Sequence, residues 1–249
     1  MLPKEFKPKA SYQLIRLGKN NDGGYLVESK SIEQTAALIS MGIGKNWRFE
    51  EDFIAHKDIV VNAYDHSVRG FFWPKFFIKS FLSILIGRFK APYNAVKIYK
   101  KFMRFFRGKA VLFYEKIGAE EKYYTNVKKT LERIKEKPIF FKIDIEGYEY
   151  QILDEIILNS ELLSGMVIEF HNIYDHIDEI RTFINNFELT LVHVHPNNNR
   201  IDDQGNPRAI EMSFARNPEK LSESSVLPHP LDQLNVPRKE AVSLRFINS

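Results

Sequence analysis

Ionisable side chains spaced two residues apart mark the ends of several apolar segments in this chain. They are Lys142, Asp144 and Glu146 in KIDIEG, Glu169 and His171 in IEFH, His193 and His195 in HVH, and Glu211 near the start of the last apolar run. Because strand side chains alternate, each set points to one face. Charges on an apolar strand are costly unless paired or used. The pattern therefore predicts one functional site, with a structural ion-pair network as the alternative.

A glycine turn and a single acid follow the first two apolar segments. Gly42 and Gly44 come directly after residues 36–41, and Asp65 comes directly after residues 59–64. Glycines there let the backbone turn sharply and approach a ligand, and an acid after the next strand can accept hydrogen bonds from ribose hydroxyls. Each feature alone also fits a plain turn or a helix cap. Together they predict a nucleotide-type cofactor.

The elements that must position these residues are short strands alternating with helices. The apolar runs that predict strands are 36–41, 59–64, 111–114, 139–145, 166–170, 189–195 and 210–215, and the predicted helices are 125–137, opened by a Thr cap, 148–158 and 174–187. This alternation predicts parallel βαβ units. The last two runs are joined by the turn-rich PNNNRIDDQGNP, which predicts an antiparallel hairpin.

The expected fold is therefore α/β, with a Rossmann-like, seven-stranded, mostly parallel sheet and a C-terminal antiparallel hairpin. We expect one domain over residues 1–249, with an irregular Pro-rich tail at 217–249 whose role the sequence does not indicate. In open α/β sheets ligands bind at the carboxyl ends of the strands. Those ends are where the ionisable pairs fall.

Composition limits the class of protein. The chain is 44% hydrophobic and 27% charged, which excludes disorder over most of its length, and it contains no cysteine, which excludes disulfides, thiolate metal sites and a cysteine nucleophile. Its first residues, MLPKEFKPKASYQ, contain no apolar core of a signal peptide, and no run reaches the roughly 18 apolar residues of a spanning helix. A cytoplasmic location is expected, with peripheral attachment to the inner face of the membrane as an addition.

The positive charge is concentrated in residues 69–109. This segment holds eleven basic residues, no acid and twelve aromatics; without it the chain carries 25 basic and 32 acidic residues, a formal charge of −7. The shift in composition predicts a helical insertion, with helices at 73–87 and 93–107. Aromatic and basic residues together suit an anionic membrane surface, here through residues 71–107. A lid over the substrate cleft, a homodimer contact and an anionic ligand are the alternatives, and nucleic acid is the least expected partner because the body is acidic.

Several motifs resemble those of the FkbM-type methyltransferases. They are DGGY at Asp22–Tyr25, Gly-Ile-Gly with Phe49 and Glu50 after it, Asp65, KIDIEGYE with Lys142, Asp144, Glu146, Gly147 and Glu149, IEFH, and HVHPNN. The resemblance covers most of residues 16–215 except the basic insertion. It implies a class I methyltransferase fold, S-adenosylmethionine as the methyl donor and, often, O-methylation of sugars or glycosylated natural products.

The resemblance also implies roles for the residues of the glycine turn. Gly42 and Gly44 would line the methionine end of the cofactor, and Asp65 would hold its ribose. Many class I enzymes carry an acid two residues before the first glycine, where this chain has Ser40. Asp22 or Glu50 would then contact the cofactor's amino group. Glu146 is counted with the cofactor-binding residues.

For a hydroxyl acceptor the enzyme must align donor and acceptor and remove a proton. His171 is the candidate base because an unperturbed imidazole is available in neutral form near pH 7. Asp144, Glu169 and His195 would orient it. Alternatively, Asp144, Glu169 and His171 would hold a divalent cation, and carboxylates mixed with imidazole suit Mg²⁺ or Mn²⁺ better than a structural zinc site.

The sequence thus predicts an S-adenosylmethionine-dependent O-methyltransferase acting on a glycan, a glycolipid precursor or another sugar-containing acceptor at the cytoplasmic face of a bacterial membrane. Two alternatives stay open. Asp144 and Glu146 could hold Mn²⁺ and a nucleotide sugar in a metal-dependent glycosyltransferase, or the chain could be a non-catalytic membrane-docked scaffold with a degenerate cofactor pocket.

Overall fold

The computed structural model describes residues 1–108, 110–118 and 124–247. Its centre is a seven-stranded sheet made of β1 Ala37–Met41, β2 Val60–Tyr64, β3 Ala110–Phe113, β4 Ile139–Ile143, β5 Leu163–His171, β6 Thr190–Pro196 and β7 Ala209–Ala215, in the spatial order β3-β2-β1-β4-β5-β7-β6. Strands β1 to β5 pair in parallel, and β7 runs antiparallel to both β5 and β6. The expected mixed α/β fold with a mostly parallel, Rossmann-like sheet is confirmed.

Helices cover both faces of the sheet. They are α1 Ser29–Gln34, α2 Arg48–His56, α3 Phe72–Leu82, α4 Ala91–Phe105, α5 Val127–Glu132, α6 Leu153–Leu158 and α7 Ile177–Asn186, with 3-10 turns at Lys4–Phe6, Ser83–Ile86, Glu149–Gln151, Ser160–Leu162 and Ile173–Asp175. Helices α5, α6 and α7 pack on one face around Phe141, Ile143 and Phe170. Helix α2 packs on the other face, where Phe49 and Phe53 contact Phe140.

Several predicted boundaries differ from the structure for local reasons. Helix α5 is capped by Asn126, whose side chain accepts a hydrogen bond from the Lys129 backbone N–H, and not by Thr125. Strand β4 ends at Ile143, two residues before its predicted end. The Glu149 carboxylate accepts hydrogen bonds from the backbone N–H groups of Ile145 and Gly147, and these bonds stabilise a turn where the sequence predicted strand and then helix.

A hairpin that the sequence did not predict lies over the α2 face. Its strands are Leu14–Gly18 and Gly24–Glu28, and its turn contains Asp22 and Gly23. The buried side chain of Tyr25 packs edge-on against Phe49. The hairpin thus carries the DGGY motif to the carboxyl ends of the central strands.

The C-terminal segment is mostly irregular but is fastened to the N-terminus at two places. Lys220–Ser222 pairs with Ser11–Tyr12, and Phe246–Ile247 pairs with Leu2–Pro3. Residues 248–249 of the predicted tail lie outside the described residues.

The basic segment forms the α3–α4 helical pair. Its base packs on the body, because Phe102 is buried between Trp47 and Trp73. Its opposite end exposes a set of large apolar side chains, which we call the apolar tip: Ile78, Phe81, Leu82, Leu85, Ile86 and Phe89. Lys109 lies outside the described residues. Among the helices described, none is long and apolar enough to cross a membrane.

The turn after β1 is pressed against the end of β4. Gly42 has φ +81°, and a Cβ at this position would lie 1.7 Å from the carbonyl oxygen of Asp144. The Lys142 ammonium group donates a hydrogen bond to the Gly42 carbonyl oxygen from the same side. Only glycine allows this approach of the two strand ends.

Gly42→Ala should therefore destabilise the protein more than backbone strain alone would. Gly205→Ala is the matched control, since Gly205 has φ +79° but no atom within 4 Å of an added Cβ. We expect about 1 kcal/mol of lost unfolding free energy at Gly205 and a further ~1–3 kcal/mol at Gly42, because β1 and β4 must separate. Urea unfolding followed by circular dichroism measures both. Equal losses would contradict the close approach.

Candidate functional site

A cavity of about 680 Å³ opens at the carboxyl ends of β1, β2 and β4. Six of the predicted site residues line it: Asp22, Gly42, Gly44, Asp65, Asp144 and Glu146. Its other walls include Tyr64, Phe72 and Tyr148. Phe72 is the first residue of α3, so the basic insertion contributes directly to the cavity wall.

The glycine turn is held by Asp65. One Asp65 carboxylate oxygen, Oδ2, accepts hydrogen bonds from the backbone N–H groups of Ile43 (3.0 Å) and Gly44 (2.7 Å), and Oδ1 accepts one from the Ser67 N–H (2.7 Å). A carboxylate has about four lone-pair sites, so one remains for a ligand hydroxyl. The main work of Asp65 in this structure is to shape the loop, and the ribose role remains a prediction.

Glu50 lies beneath the glycine turn and does not line the cavity. Its side chain is fully buried and accepts a hydrogen bond from the Ser40 hydroxyl. Burial raises the pKa of Glu50, and the nearby Lys142 ammonium opposes that rise. Ser40 and Glu50 together thus place a carboxylate close to where many class I enzymes carry an acid. Of the two residues predicted to contact the cofactor's amino group, only Asp22 reaches the cavity.

Asp144 is the carboxylate that links the cavity to the buried network. Its Oδ2 accepts a hydrogen bond from the Tyr25 hydroxyl at 3.2 Å and lies 3.8 Å from the Lys142 ammonium. Burial first, and then the Asp144 charge, raise the pKa of Tyr25 well above its usual range, so the phenol stays a donor. Among the described residues, Asp144 Oδ1 accepts no hydrogen bond.

His171 is enclosed by four carboxylates. Its Nδ1 lies 2.9 Å from Glu149 Oε1, and its Nε2 lies 3.6 Å from Glu169, 3.7 Å from Glu146 and 4.0 Å from Asp144. Burial lowers the pKa of His171, but the hydrogen bond to Glu149 and the surrounding charges outweigh burial and raise the pKa to about 9. The sequence prediction that His171 offers a neutral imidazole near pH 7 is therefore at odds with its surroundings, because these favour the imidazolium.

Glu169 and Glu146 complete the cluster from opposite sides. Glu169 is buried and accepts a hydrogen bond from the Asn197 amide at 2.7 Å; burial, with Asp144 and Glu211 nearby, raises the pKa of Glu169 well above its usual range. Glu146 has left-handed backbone geometry, φ 56°, after the strand has ended. Its exposed side chain pairs with Arg200 at 2.8 Å. The turn, rather than strand alternation, brings Glu146 to the site.

The structure places His195 in a separate cluster. Asp232 of the C-terminal segment lies 2.9 Å from His193 Nε2 and 3.4 Å from His195 Nδ1. Glu211 of β7 stands between the clusters, opposite Glu169 on one side and His195 on the other. Burial raises the pKa of Glu211 to about 7. Among the described residues, no ion pair or hydrogen bond joins His195 to His171. No direct contact therefore supports the prediction that His195 orients His171.

The predicted metal ligands are brought together. One ligand atom from each of Asp144, Glu169 and His171 lies within 4.8 Å of the others. His171 would have to lose its proton to bind a metal, since an imidazole ligand is neutral. A metal ion here remains a prediction.

The fold and the cavity define a Rossmann-like protein with a cavity at the carboxyl ends of its strands. Residues 108–189 match the Methyltransferase FkbM domain. The matched range runs from before β3 through α7 and contains Asp144, Glu149, Glu169 and His171. The resemblance to the FkbM-type methyltransferases is thereby confirmed. It supports S-adenosylmethionine-dependent methyl transfer as the class of activity and S-adenosylmethionine as the cofactor.

Three solved structures illustrate the wider similarity. They are TrmK of M. capricolum with S-adenosyl-homocysteine (TM-score 0.41, 13% identity, 76% of this chain and 66% of that chain), an rRNA methylase from Streptococcus thermophilus (0.38, 10%, 75% and 94%) and an O-methyltransferase family protein from Burkholderia thailandensis (0.39, 7%, 75% and 52%). This chain covers less than two thirds of the first and third. Similarity of this extent carries no information on substrate. No curated protein shows a significant match to the chain.

The sequence did not indicate the residues that donate hydrogen bonds to the carboxylates of the two clusters. Tyr25, Asn197 and Asn235 donate hydrogen bonds to Asp144, Glu169 and Glu211. Tyr25 lay within the DGGY motif and Asn197 within HVHPNN, so their motifs were visible although their partners were not. Asn235 and Asp232 belong to the tail, which offered no signal.

The environment of His171 predicts a titration far above that of a free histidine. In chelator-treated protein, NMR of the His171 ring should give a pKa near 9, and Glu149→Gln should lower it because the hydrogen-bonded charge is lost. The stability that this pairing contributes is fully present below the unfolded pKa of about 6.5 and is lost as pH rises through about 9. The advantage of the wild type over Glu149→Gln should shrink across that window.

Glu179→Gln is the control for this titration, since Glu179 pairs with the partly exposed His176 instead. It should leave the pKa of His171 unchanged. A wild-type His171 pKa at or below 6.5 would contradict the arrangement of four carboxylates around its ring.

Proposed function

We propose that this chain transfers a methyl group from S-adenosylmethionine to a hydroxyl group of a sugar-containing acceptor. The observation that carries the proposal is the cavity of about 680 Å³ that the Gly42 turn shares with Asp22, Asp65 and Asp144. It combines a close-approach backbone turn with carboxylates at the carboxyl ends of parallel strands. That combination suits a nucleoside with a positively charged sulfur.

The residues of the cavity fit the cofactor in two places. Asp22 is exposed at the hairpin turn and can pair with an amino group. Asp65 keeps one lone-pair site beside the glycine turn for a ribose hydroxyl. S-adenosylmethionine, when bound, supplies an electrophilic methyl group.

Asp144 is the residue that we assign as general base, in place of His171. It lines the cavity, its side chain is 27% exposed, and its Oδ1 is open to accept the acceptor's proton. The Tyr25 hydroxyl and the Lys142 ammonium fix the other oxygen. His171 acts as a positioning residue, because its imidazolium holds Asp144, Glu146 and Glu169 around one point.

The acceptor class is inferred from the walls of the cavity. Phe72 and Tyr148 offer aromatic surface, and Lys45, Lys116 and Glu115 offer polar groups at the same opening. Pockets of this composition bind ligands that combine apolar faces with hydroxyls. A glycan or the sugar portion of a glycolipid precursor has both.

The insertion supports a membrane-linked form of that acceptor. Helix α3 begins at the cavity wall with Phe72 and leads to the apolar tip, where Leu85 is 84% and Phe89 is 75% exposed. Along α4, from its middle toward its base, Lys97, Lys100, Lys101 and Arg104 line a groove of about 320 Å³. An apolar tip flanked by cations fits an anionic bilayer surface, and we propose that the protein docks there.

Two measurements test the proposed activity: calorimetry for cofactor binding and a radiolabel assay for methyl transfer. We expect purified protein to bind S-adenosylhomocysteine and to transfer radiolabelled methyl groups from S-adenosylmethionine to glycolipid extracts. Asp144→Asn should lower turnover by about 10²–10⁴-fold, the range of a general base, while cofactor affinity changes little. Asp203→Asn, an exposed acid in the β6–β7 loop, is the control and should retain full turnover.

Two results would overturn this assignment. Absence of binding to S-adenosylhomocysteine would contradict methyl transfer, and stabilisation by a nucleotide sugar with Mn²⁺ instead would favour glycosyl transfer. Normal turnover in Asp144→Asn would remove Asp144 as the base but leave the methyl-transfer class intact.

Membrane docking is tested by vesicle flotation. Wild-type protein should bind phosphatidylglycerol vesicles and be released by salt. Leu85→Asp with Phe89→Asp should weaken binding by at least about tenfold, because burying one such side chain is worth about 1.5–3 kcal/mol. Leu158→Asp is matched, since Leu158 is 77% exposed on α6 but lies outside the insertion; it should bind normally. Vesicle binding unaffected by the tip substitutions, or a wild-type dimer that they dissociate, would contradict docking.

A further inference from the structure

A second cluster of ligand-type side chains lies on β6, outside the cavity. His193 and His195 project from the same face of the strand, and Asp232 reaches them from the C-terminal segment. One ligand atom from each lies within 4.8 Å of the others. All three side chains are at most 9% exposed, so the cluster is shielded from water.

His195 is the unexplained member of this cluster. Both of its ring nitrogens are buried: Nδ1 lies 3.4 Å from Asp232 Oδ1 without the geometry of a hydrogen bond, and Nε2 has no hydrogen-bond partner among the described residues. Buried polar groups without partners are rare in native proteins because they cost free energy. The Asn235 Oδ1 is also buried without a hydrogen-bond partner among the described residues. An imidazole held against a carboxylate without a hydrogen bond indicates a missing partner that binds both groups, as a metal ion does.

We propose that His193, His195 and Asp232 bind a divalent transition-metal ion. A metal 2.0–2.2 Å from tetrahedral ligands keeps neighbouring ligand atoms about 3.3–3.6 Å apart. The separation of 3.4 Å from Asp232 Oδ1 to His195 Nδ1 lies in that range, and the hydrogen-bonded separation of 2.9 Å to His193 Nε2 would lengthen when the metal replaces the proton. Two imidazoles and one carboxylate favour Zn²⁺ or Co²⁺ over Mg²⁺ or Ca²⁺, which prefer oxygen ligands.

The surroundings of Asp232 orient it as a ligand. Its second oxygen, Oδ2, accepts a hydrogen bond from the His229 backbone N–H at 2.7 Å, which leaves Oδ1 facing both imidazoles. Contacts of this kind fix the direction of ligands in metal sites.

The metal would join the C-terminal segment to the cavity. Three residues after Asp232, the Asn235 carbonyl oxygen accepts a hydrogen bond from the Asp22 N–H, and the Asn235 amide donates one to Glu211. Fixing Asp232 therefore fixes the segment that supports the turn carrying Asp22. The metal site is structural, and its ligands stand apart from the groups assigned to methyl transfer.

Cobalt spectroscopy tests the site. Full-length protein is stripped with chelator and titrated with Co²⁺; we expect one ion per chain, visible d–d absorption, and displacement by Zn²⁺. His193→Asn with His195→Asn should weaken Co²⁺ binding by at least about 100-fold. Changing residues that merely support metal ligands already lowers metal affinity by about 10–100-fold, and these two residues are ligands themselves. His171→Asn and the exposed His56→Asn should bind Co²⁺ as the wild type does. Mg²⁺ should not compete.

X-ray absorption of the zinc-loaded wild type provides a test that needs no variant, and it should show two imidazoles. Failure of the wild type to bind stoichiometrically, undiminished binding in the double variant, or zinc without imidazole neighbours would overturn the proposal. Loss of binding in His171→Asn alone would place the metal at the Asp144 cluster and also overturn it.

Discussion

The buried carboxylates at the ends of β4 and β5 impose the constraint on which the rest of the site depends. Glu149 and Glu169 lie in the interior and Asp144 at its edge, so each needs a proton, a cation or a hydrogen-bond donor. His171 supplies the shared positive charge, and neutral donors satisfy what remains. Removing the positive charge of His171, or one of the hydrogen-bond donors, would leave a buried carboxylate without a partner and next to other carboxylates. The resulting loss of unfolding free energy would be larger than the net contribution of the intact pair.

The fold could be predicted because its central strands are apolar on both faces. Residues of β1, β4 and β5 are buried along their whole length, and such runs are visible without any contact information. The Leu14–Gly18 and Gly24–Glu28 hairpin was missed because its turn is longer than a two-residue hairpin turn and its alternation is masked by near-complete burial of the second strand. The predicted end of β4 was wrong because the Glu149 side chain binds backbone N–H groups, such as that of Ile145, which a longer strand would have used.

The membership of the site was more predictable than the chemistry of its members. Period-two spacing located Asp144, Glu169 and His171, because parallel strands bring their carboxyl ends together. The protonation of His171 depends instead on carboxylates from the β4 strand end, the following turn and β5, and no local pattern encodes those distances. Asp232 was unpredictable for a related reason, since 36 residues, many of them in turns, separate it from His195.

The separation of positive charge in the insertion from negative charge in the rest of the chain would determine how the protein orients at an anionic membrane. The described part of the insertion is basic throughout, while the remaining chain carries a net negative charge. An anionic surface would attract the α3–α4 pair and repel the body, so the electrostatic torque and the apolar tip favour the same orientation. Because Phe72 belongs to both α3 and the cavity wall, that orientation brings the opening of the cavity beside the helix that points toward the surface. A lipid-linked sugar could then reach Asp144 while its lipid stays in the bilayer, and one insertion would account for both the proposed location and the proposed acceptor.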